Sequence, residues 1–313
     1  MLSQSAVNAH TPTIAITGAP TNWTNDTATL SWTLSGYEGK NYEVILPDGK
    51  TSTDASGEVW ARQNGDYTVT VRDLDYGGEN SATITVDKLD YAPPTVTVRG
   101  NSDGWTQTDQ TLTITAGDTQ SGVGEMWYKI VSGDTEIPTE GLLPLKAPIT
   151  VSDEGKCYVY YKVYDSAGDT TDGIEREANK SEGFVPVQID KTAPEITFGD
   201  YSAVSGMAVT VKGSKDGVSS SELASVTYVI KSGTKILKTG SAPTNGNADI
   251  DFTLTELPIG DLTVTVTATD AAGNRSEISK EISTDTVSVT ITWGDMDFTY
   301  TDGAWDPKTH TYK

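Results

Sequence analysis

The chain is poor in the residues that cross-linking and catalysis draw on. It has one cysteine and two histidines in 313 residues. A single thiol excludes an intrachain disulfide. The histidines, His10 and His310, sit at opposite ends of the sequence. No Gly-x-Ser-x-Gly, His-Glu-x-x-His or phosphate-cradling glycine loop is present. No catalytic residue is therefore assigned, and the chain is not expected to be an enzyme. Helical periodicity is nearly missing; the best segment, Ile174 to Asn179, is short and carries no apolar stripe. No apolar run approaches the length of a membrane span. Met1 to His10 lack the basic start and apolar middle of a signal peptide. Bases are the scarcer charge: 22 Lys and Arg against 44 Asp and Glu, a net charge of −22. That balance repels a phosphate backbone, so nucleic acid is not an expected partner. Direct membrane insertion is not expected either. The acidity reads as a soluble, mutually repelling surface, and the expected state is a monomer.

What the chain has is a phrase used three times. Cys157-Tyr158-Val159-Tyr160-Tyr161-Lys162-Val163-Tyr164-Asp165-Ser166-Ala167-Gly168 is the fullest version. Tyr67 to Asp73 and Leu262 to Asn274 repeat it. Counting back from the closing Asp, Val163, Tyr161, Val159 and Cys157 hold even offsets, as do Val71, Val69 and Tyr67, and Ala268, Val266, Val264 and Leu262. Side chains alternate faces along a strand, so each set shares one face and looks into a core. On this parity Cys157 is a buried, inert thiol. The odd offsets carry mostly Thr, Arg and Lys, as a wetted face does. The closing Asp starts a turn, because its carboxylate accepts from backbone N–H groups just downstream. A glycine, Gly65, Gly155 or Gly260, precedes each phrase.

Around this phrase the chain divides into units. Residues 1–10 are expected to be a disordered lead. The first domain covers 11–90, with strands at Thr13–Thr17, Ala28–Leu34, Tyr42–Leu46, Glu58–Ala61, from Tyr67, and at Ala82–Val86. The second covers 91–191, with strands at Thr95–Arg99, Thr111–Ala116, Glu125–Val131, the key strand and Phe184–Ile189; residues 132–148 read as an insertion. The third covers 192–285, with strands at Ala208–Lys212, Ser225–Lys231, Ala248–Leu254 and the key strand. Residues 286–313 begin a further β module that stops short of a closed domain, so a fragment of a longer protein is expected. A turn opening on Trp23-Thr24 returns as Trp105-Thr106 and has decayed to Val204-Ser205-Gly206 in the third unit. About seven short strands per unit with turn signals every 8–12 residues predict β-sandwiches. The junctions, Tyr91-Ala92-Pro93-Pro94 and Lys191-Thr192-Ala193-Pro194, are short and hold proline, which stiffens itself and the residue before it. The expected fold is all-β: tandem sandwiches in an elongated, semi-rigid array.

The Asp270-Ala271-Ala272-Gly273-Asn274 turn, the Asp190-Lys191-Thr192-Ala193-Pro194 junction and the Trp-Thr-x-x-Asp opening resemble bacterial Ig-like repeats of the Big type. The resemblance covers about residues 11–285. Asp169 stands where the second unit's turn should have Asn, and Asp73 to Gly78 diverge in the first. The resemblance implies immunoglobulin-like domains of a Gram-positive cell-surface protein, extracellular, acting as a stalk or adhesin. It also leaves open a module that binds a host protein, such as an immunoglobulin, or a glycan, centred on the second domain. Accessory domains of a larger extracellular glycan-active enzyme are a further alternative.

Two local features are candidates for sites. Acids gather near the junctions: Asp87 and Asp90, Asp190 and Glu195, and Asp285. Turn and capping duty is the expected use; calcium, which wants six to eight oxygens, is the alternative, and no Asp-x-Asp-x-Asp-Gly loop supports it. No metal ligand and no resident cofactor are assigned. On the second unit's key strand the outward offsets are Tyr158, Tyr160, Lys162 and Tyr164. The neighbouring strand should add Trp127 or Tyr128, depending on register. Together they would form an aromatic stripe with a cationic tip, suited to a sugar face or a protein hot spot. The bland alternatives are that tyrosine simply favours strands, or that the insertion folds over the stripe.

Overall fold

A computed structural model describes residues 11–133, 135–168, 178–213 and 220–284, with the backbone of four short strands between 289 and 312. Residues 1–10, His10 and His310, Asp169, Asp285 and most of the Ile174–Asn179 segment lie outside the described residues.

The first unit holds β1 (Thr13–Thr17), β2 (Ala28–Ser35), β3 (Tyr42–Ile45), β4 (Thr51–Ser52), β5 (Ser56–Ala61), β6 (Gly65–Asp73) and β7 (Glu79–Val86). The second holds β8 (Thr95–Arg99), β9 (Gln110–Gly117), β10 (Val123–Ser132), β11 (Leu143–Pro144), β12 (Ile149–Val151), β13 (Gly155–Asp165) and β14 (Lys180–Ile189). The third holds β15 (Glu195–Ser202), β16 (Gly206–Lys212), β17 (Leu223–Ser232), β18 (Lys235–Ala242), β19 (Asp249–Leu254), β20 (Gly260–Asp270) and β21 (Arg275–Thr284). Two hairpins follow: β22 (Val289–Trp293) with β23 (Met296–Tyr300), and β24 (Trp305–Asp306) with β25 (Thr311–Tyr312).

All three units share one topology. A three-stranded sheet (β1-β2-β5, β8-β9-β12, β15-β16-β19) faces a four-stranded one (β4-β3-β6-β7, β11-β10-β13-β14, β18-β17-β20-β21). Every strand pair is antiparallel. This is an immunoglobulin-like sandwich in which the fourth strand has crossed to the sheet of the key strand, the three-on-four arrangement of fibronectin-like domains. The insertion 132–148 supplies that fourth strand in the second unit, where β11 pairs along the edge of β10. The β12 strand, Ile149–Val151, was not foreseen; three residues are too few to show a period.

Alternation sets the core. Val69 and Val71, Val159 and Val163, and Val264, Val266 and Ala268 are fully buried, and Tyr161 is half-buried against the same interior. Each unit keeps its own hydrophobic interior: two adjoining clusters in the first, one in the second, one in the third. Among the described residues no hydrophobic cluster crosses a junction.

One packing device recurs. In each unit a large aromatic on the inner face lies directly opposite a glycine on the neighbouring strand: Trp32 and Gly57, Tyr161 and Gly183, Tyr228 and Gly240. The ring lies across the glycine and fills the place a side chain would take. A Cβ at Gly183 would stand 2.7 Å from the Tyr161 hydroxyl oxygen and 2.9 Å from its Cζ. Relieving that overlap needs a shifted ring or backbone, which costs about 1–3 kcal/mol. Gly183→Ala should therefore lower the unfolding free energy of the second domain by that amount in a denaturant titration. The first and third domains should be left unchanged.

Candidate functional site: the junctions and one sheet face

Each key strand ends on an aspartate that is buried, not merely at a turn: Asp73, Asp165 and Asp270 are all almost wholly out of water. A buried carboxylate needs donors, and the turn supplies them. Asp73 Oδ1 accepts from the N–H groups of Asp75 and Tyr76 at 2.9 and 3.0 Å, Asp165 Oδ1 from Ala167 at 3.1 Å, and Asp270 Oδ1 from Asn274 at 2.8 Å. In the second and third units the other oxygen takes an asparagine. Asn179 Nδ2 donates to Asp165 Oδ2 at 2.6 Å, and Asn274 Nδ2 to Asp270 Oδ2 at 2.9 Å.

That asparagine also reaches the preceding unit. Asn179 Nδ2 donates to the main-chain oxygen of Asp90 at 2.9 Å, and Asn274 Nδ2 to that of Asp190 at 2.8 Å. The linker aspartates answer in kind. Asp90 is 0 % exposed, and its Oδ2 accepts from the Ser121 N–H at 2.9 Å, its Oδ1 from Gln120 Nε2 at 3.1 Å and from the Ala92 N–H at 3.0 Å. Asp190, 3 % exposed, accepts from the N–H and hydroxyl of Ser221 at 2.8 and 2.7 Å and from the Thr192 N–H at 3.1 Å. Both junctions are thus one latch built twice. An aspartate at the end of one domain is seated in the next, whose asparagine grips its carbonyl.

The repeated Trp-Thr turn holds the seated segment from behind. Thr24 donates its N–H to the Lys88 oxygen and accepts from the Asp90 N–H, both at 2.9 Å. Thr106 does the same with Gln188 and Asp190, at 3.1 and 2.9 Å. These are parallel bridges, Thr24 to Leu89 and Thr106 to Ile189. Asn64 adds a second grip on the first junction, bonding the Leu89 N–H and C=O at 2.8 Å each. Small residues at the receiving turn let the domains approach. Ala167 O accepts from the Asn25 N–H at 2.9 Å. A Cβ on Gly273, which has φ +93°, would stand 2.8 Å from Gln107 Nε2.

The first domain lacks the receiving half. Matching backbone hydrogen bonds align Leu74 with Ser166 and Ala271, and Gly78 with Asn179 and Asn274. Gly78 therefore replaces the gripping asparagine, Lys40 replaces Ser121 and Ser221, and Leu74, 48 % exposed, replaces the small turn residues.

Asp90 lies together with Asp118 and Asp165. One carboxylate oxygen from each of these three lies within 4.8 Å of the others, the one group among the described residues that could hold a metal ion. The donors aimed at these carboxylates are N–H groups, Gln120 and Gly122 on Asp118 included, each at 2.9 Å. Capping accounts for their placement. Asp169 is likewise not needed as the turn residue of the second unit. Asn179 takes that place, since Asp165 N–H bonds Asn179 O as Asp270 N–H bonds Asn274 O. Chain inserted between Asp165 and Asn179 hid the match.

On the second unit's four-stranded sheet, register settles the aromatic stripe. Trp127 faces outward opposite Lys162, whereas Tyr128 pairs with Tyr161 and packs into the core, so it leaves the stripe. Tyr158, Lys162 and Tyr164 are half-buried on the outer face, with Lys162 over the Tyr164 ring. Tyr160 lies on that face too but is only 1 % exposed: its ring meets Phe184 and its hydroxyl bonds Glu182 at 2.5 Å. The sequence reading missed Phe184 and Lys129, both opposite Tyr160; the parity of β14, counted from its pairing with β13, was the signal. The insertion reaches this face at Pro144, opposite Trp127, and at Lys129, whose Nζ donates to Glu140 O at 2.8 Å. Cys157 is half-buried against the core, and burial, with Asp153, pushes its thiol pKa up.

No family model matches the chain, and no curated protein does. Among solved structures, titin domains A168-A170 match over 87 % of this chain and 98 % of that one at 10 % identity, with a TM-score of 0.30. Overlap that slight supports nothing further, and the assignment to tandem immunoglobulin-like domains rests on the strand order.

The first latch is pH-sensitive in two directions. Burial pushes the Asp90 carboxyl up, but the donors of Ser121 and Ala92 outweigh it and hold it below the ordinary range. Burial pushes Asp165 up, Asn179 and Ala167 oppose it, and the nearby Asp90 and Asp118 charges leave it raised. A lowered pKa gives stability that is lost as pH falls through it; a raised one gives stability that is lost as pH rises through it. The coupling between the first two domains should therefore peak in acidic solution, below the raised Asp165 pKa and above the lowered Asp90 pKa. Carboxyl-carbon NMR titration should show Asp165 protonating first on acidification. Asp90 protonating first would contradict this order.

Proposed function

We propose that this chain is a non-catalytic, semi-rigid stalk segment of a bacterial cell-surface protein, built from Big-type immunoglobulin-like repeats and positioned outside the cell. The observation that carries the reading is the latch present at both junctions with the same atoms: aspartate seated, asparagine gripping, threonine clasping. A linker that only tethered two domains would have no reason to bury its own carboxylate twice in the same socket. Domains fixed end to end transmit position, and that is the use of a spacer carrying something away from a surface. The sequence motifs shared with Big-type repeats support the bacterial assignment, and the acidic surface suits a soluble, separate rod.

Small-angle scattering tests the shape. A compact chain of this length would have a radius of gyration near 20 Å; the stalk reading expects a value well above it and a maximum dimension beyond roughly 100 Å, from sandwich lengths of about ten residues at 3.4 Å each. Removing the grip should loosen the rod without unfolding it. Asn274→Ala leaves two buried oxygens short of a donor, a cost of about 1–3 kcal/mol at the second junction. Residual dipolar couplings should then report a broadened angle between the second and third domains while each keeps its own fold. A compact wild-type profile would overturn the stalk reading.

A further inference from the structure

At the first junction an open cleft of about 440 Å³ lies between the loop ahead of β6, the linker and the second domain. That size is within the range of small-ligand sites, which gather where domains meet. Arg62 and Gln63 come from the loop, Tyr91 from the linker and Gln120 from the second domain; Asn64 and Leu89 complete the lining on the side of the first domain. Two of these residues are fixed in place. Asn64 bonds the Leu89 N–H and C=O. The Tyr91 hydroxyl donates to Asp26 O at 3.1 Å, while the residue stays 46 % exposed. Two others have side chains to offer. Among the described residues the Arg62 guanidinium makes no hydrogen bond or ion pair, whereas Arg72 and Arg275 are both paired with glutamates. The Gln63 amide is free in the same sense; only its main-chain oxygen is used, by the Tyr67 hydroxyl at 2.9 Å.

The corresponding loop of the second unit carries the opposite sign. Arg62-Gln63-Asn64 precede Gly65 where Ser152-Asp153-Glu154 precede Gly155. Each loop reaches the linker that leaves its own domain, Asn64 at Leu89 and Glu154 at the Lys191 N–H, 2.6 Å away. Lys191 follows Asp190 as Tyr91 follows Asp90, and its ammonium is held by Asp109 at 2.6 Å. The first junction thus has amides in place of two acids, a tyrosine in place of a paired lysine, and an added arginine. Two acids stand behind the cleft without lining it. Asp90 is buried and bonded by Ser121, Gln120 and Ala92. Asp26 Oδ1 accepts from the Thr27 N–H at 2.7 Å.

An unpaired guanidinium in a chain of net charge −22 calls for an anion from outside, and its planar fork matches a carboxylate through two parallel hydrogen bonds. We infer that the cleft binds a small sugar acid, its carboxylate on Arg62, its hydroxyls on the Gln63 and Gln120 amides and one ring face against Tyr91. The tyrosine ring offers the apolar surface and the amides the directional partners that a hydroxyl-bearing ring needs beyond its charge. A ligand seated there touches both domains and the linker between them. The inference is independent of the stalk reading: a rod that binds nothing survives its failure, and a binding cleft in a compact chain survives the failure of the stalk.

The test is an amide NMR titration of the whole chain with glucuronate, with methyl glucoside, acetate and inorganic phosphate as parallel arms. Glucuronate should shift the amides of Arg62, Gln63 and Gln120 along one binding curve, more weakly as salt is added. The other three probes should bind at least about tenfold less tightly. Arg62→Gln and Tyr91→Leu should each weaken glucuronate binding about tenfold, a change of about 1.4 kcal/mol. Arg62 is exposed, so its variant should keep the wild-type unfolding profile; should Tyr91→Leu unfold, Gln63→Ala takes its place. No shift in the wild type, unaltered affinity in either variant, or equal binding of methyl glucoside would overturn the inference. Equal binding of acetate or phosphate would overturn it too, by showing charge attraction without a sugar ring. Shifts at Arg62 and Gln63 with Gln120 unmoved would overturn it by placing the ligand on the first domain alone.

Discussion

A carboxylate removed from water must be met by N–H groups or it will not stay charged and folded. Everything distinctive in this chain follows from where it buries carboxylates. Within a domain, the aspartate closing the key strand gathers the turn around itself and fixes where the strand ends, and with it which side chains look inward. Between domains, a second aspartate is buried in the neighbour's loops. An asparagine placed between the two acids serves both, one amide nitrogen bonding a carboxylate oxygen of its own domain and a carbonyl of the previous one. Order inside a domain and order between domains are thereby one hydrogen-bond system.

The strands were legible because their signal is local. Thr13–Thr17 and Thr95–Arg99 agree with the sequence reading at both ends, and the valines of the three key strands are buried as their parity requires. What escaped was set by distance. The pairing of β11 with β10 depends on an edge, not on its own two residues. Tyr128 turned inward because a register irregularity between Val123 and Met126 offsets β10 against β13, and nothing in the β10 sequence announces it. The gripping asparagine is next to its turn in the third domain and separated from it by inserted chain in the second, so a motif search finds Asn274 and passes over Asn179. The acidic trio Asp90, Asp118 and Asp165 unites residues from two domains, which composition along the chain cannot show.

The Trp-Thr opening reads in sequence as a turn signal and turns out to be a clasp on the departing strand. In the third domain Val204 stands almost fully exposed in its place. Thr284 there bonds back to Gly260 and to Pro258 O. The first domain differs at its other end, where Leu74, Lys40 and Gly78 stand in place of the socket. Repeats that look alike in their strands have thus diverged in how they can be joined.

The parallel bridges at Thr24 and Thr106 have a mechanical meaning. Tension drawn along the chain would pull the outgoing segment past its threonine, so the two hydrogen bonds of each bridge would be strained in shear, side by side, instead of being peeled open one after the other. Slippage there would have to break both bonds of the pair together while dragging a seated aspartate from its neighbour.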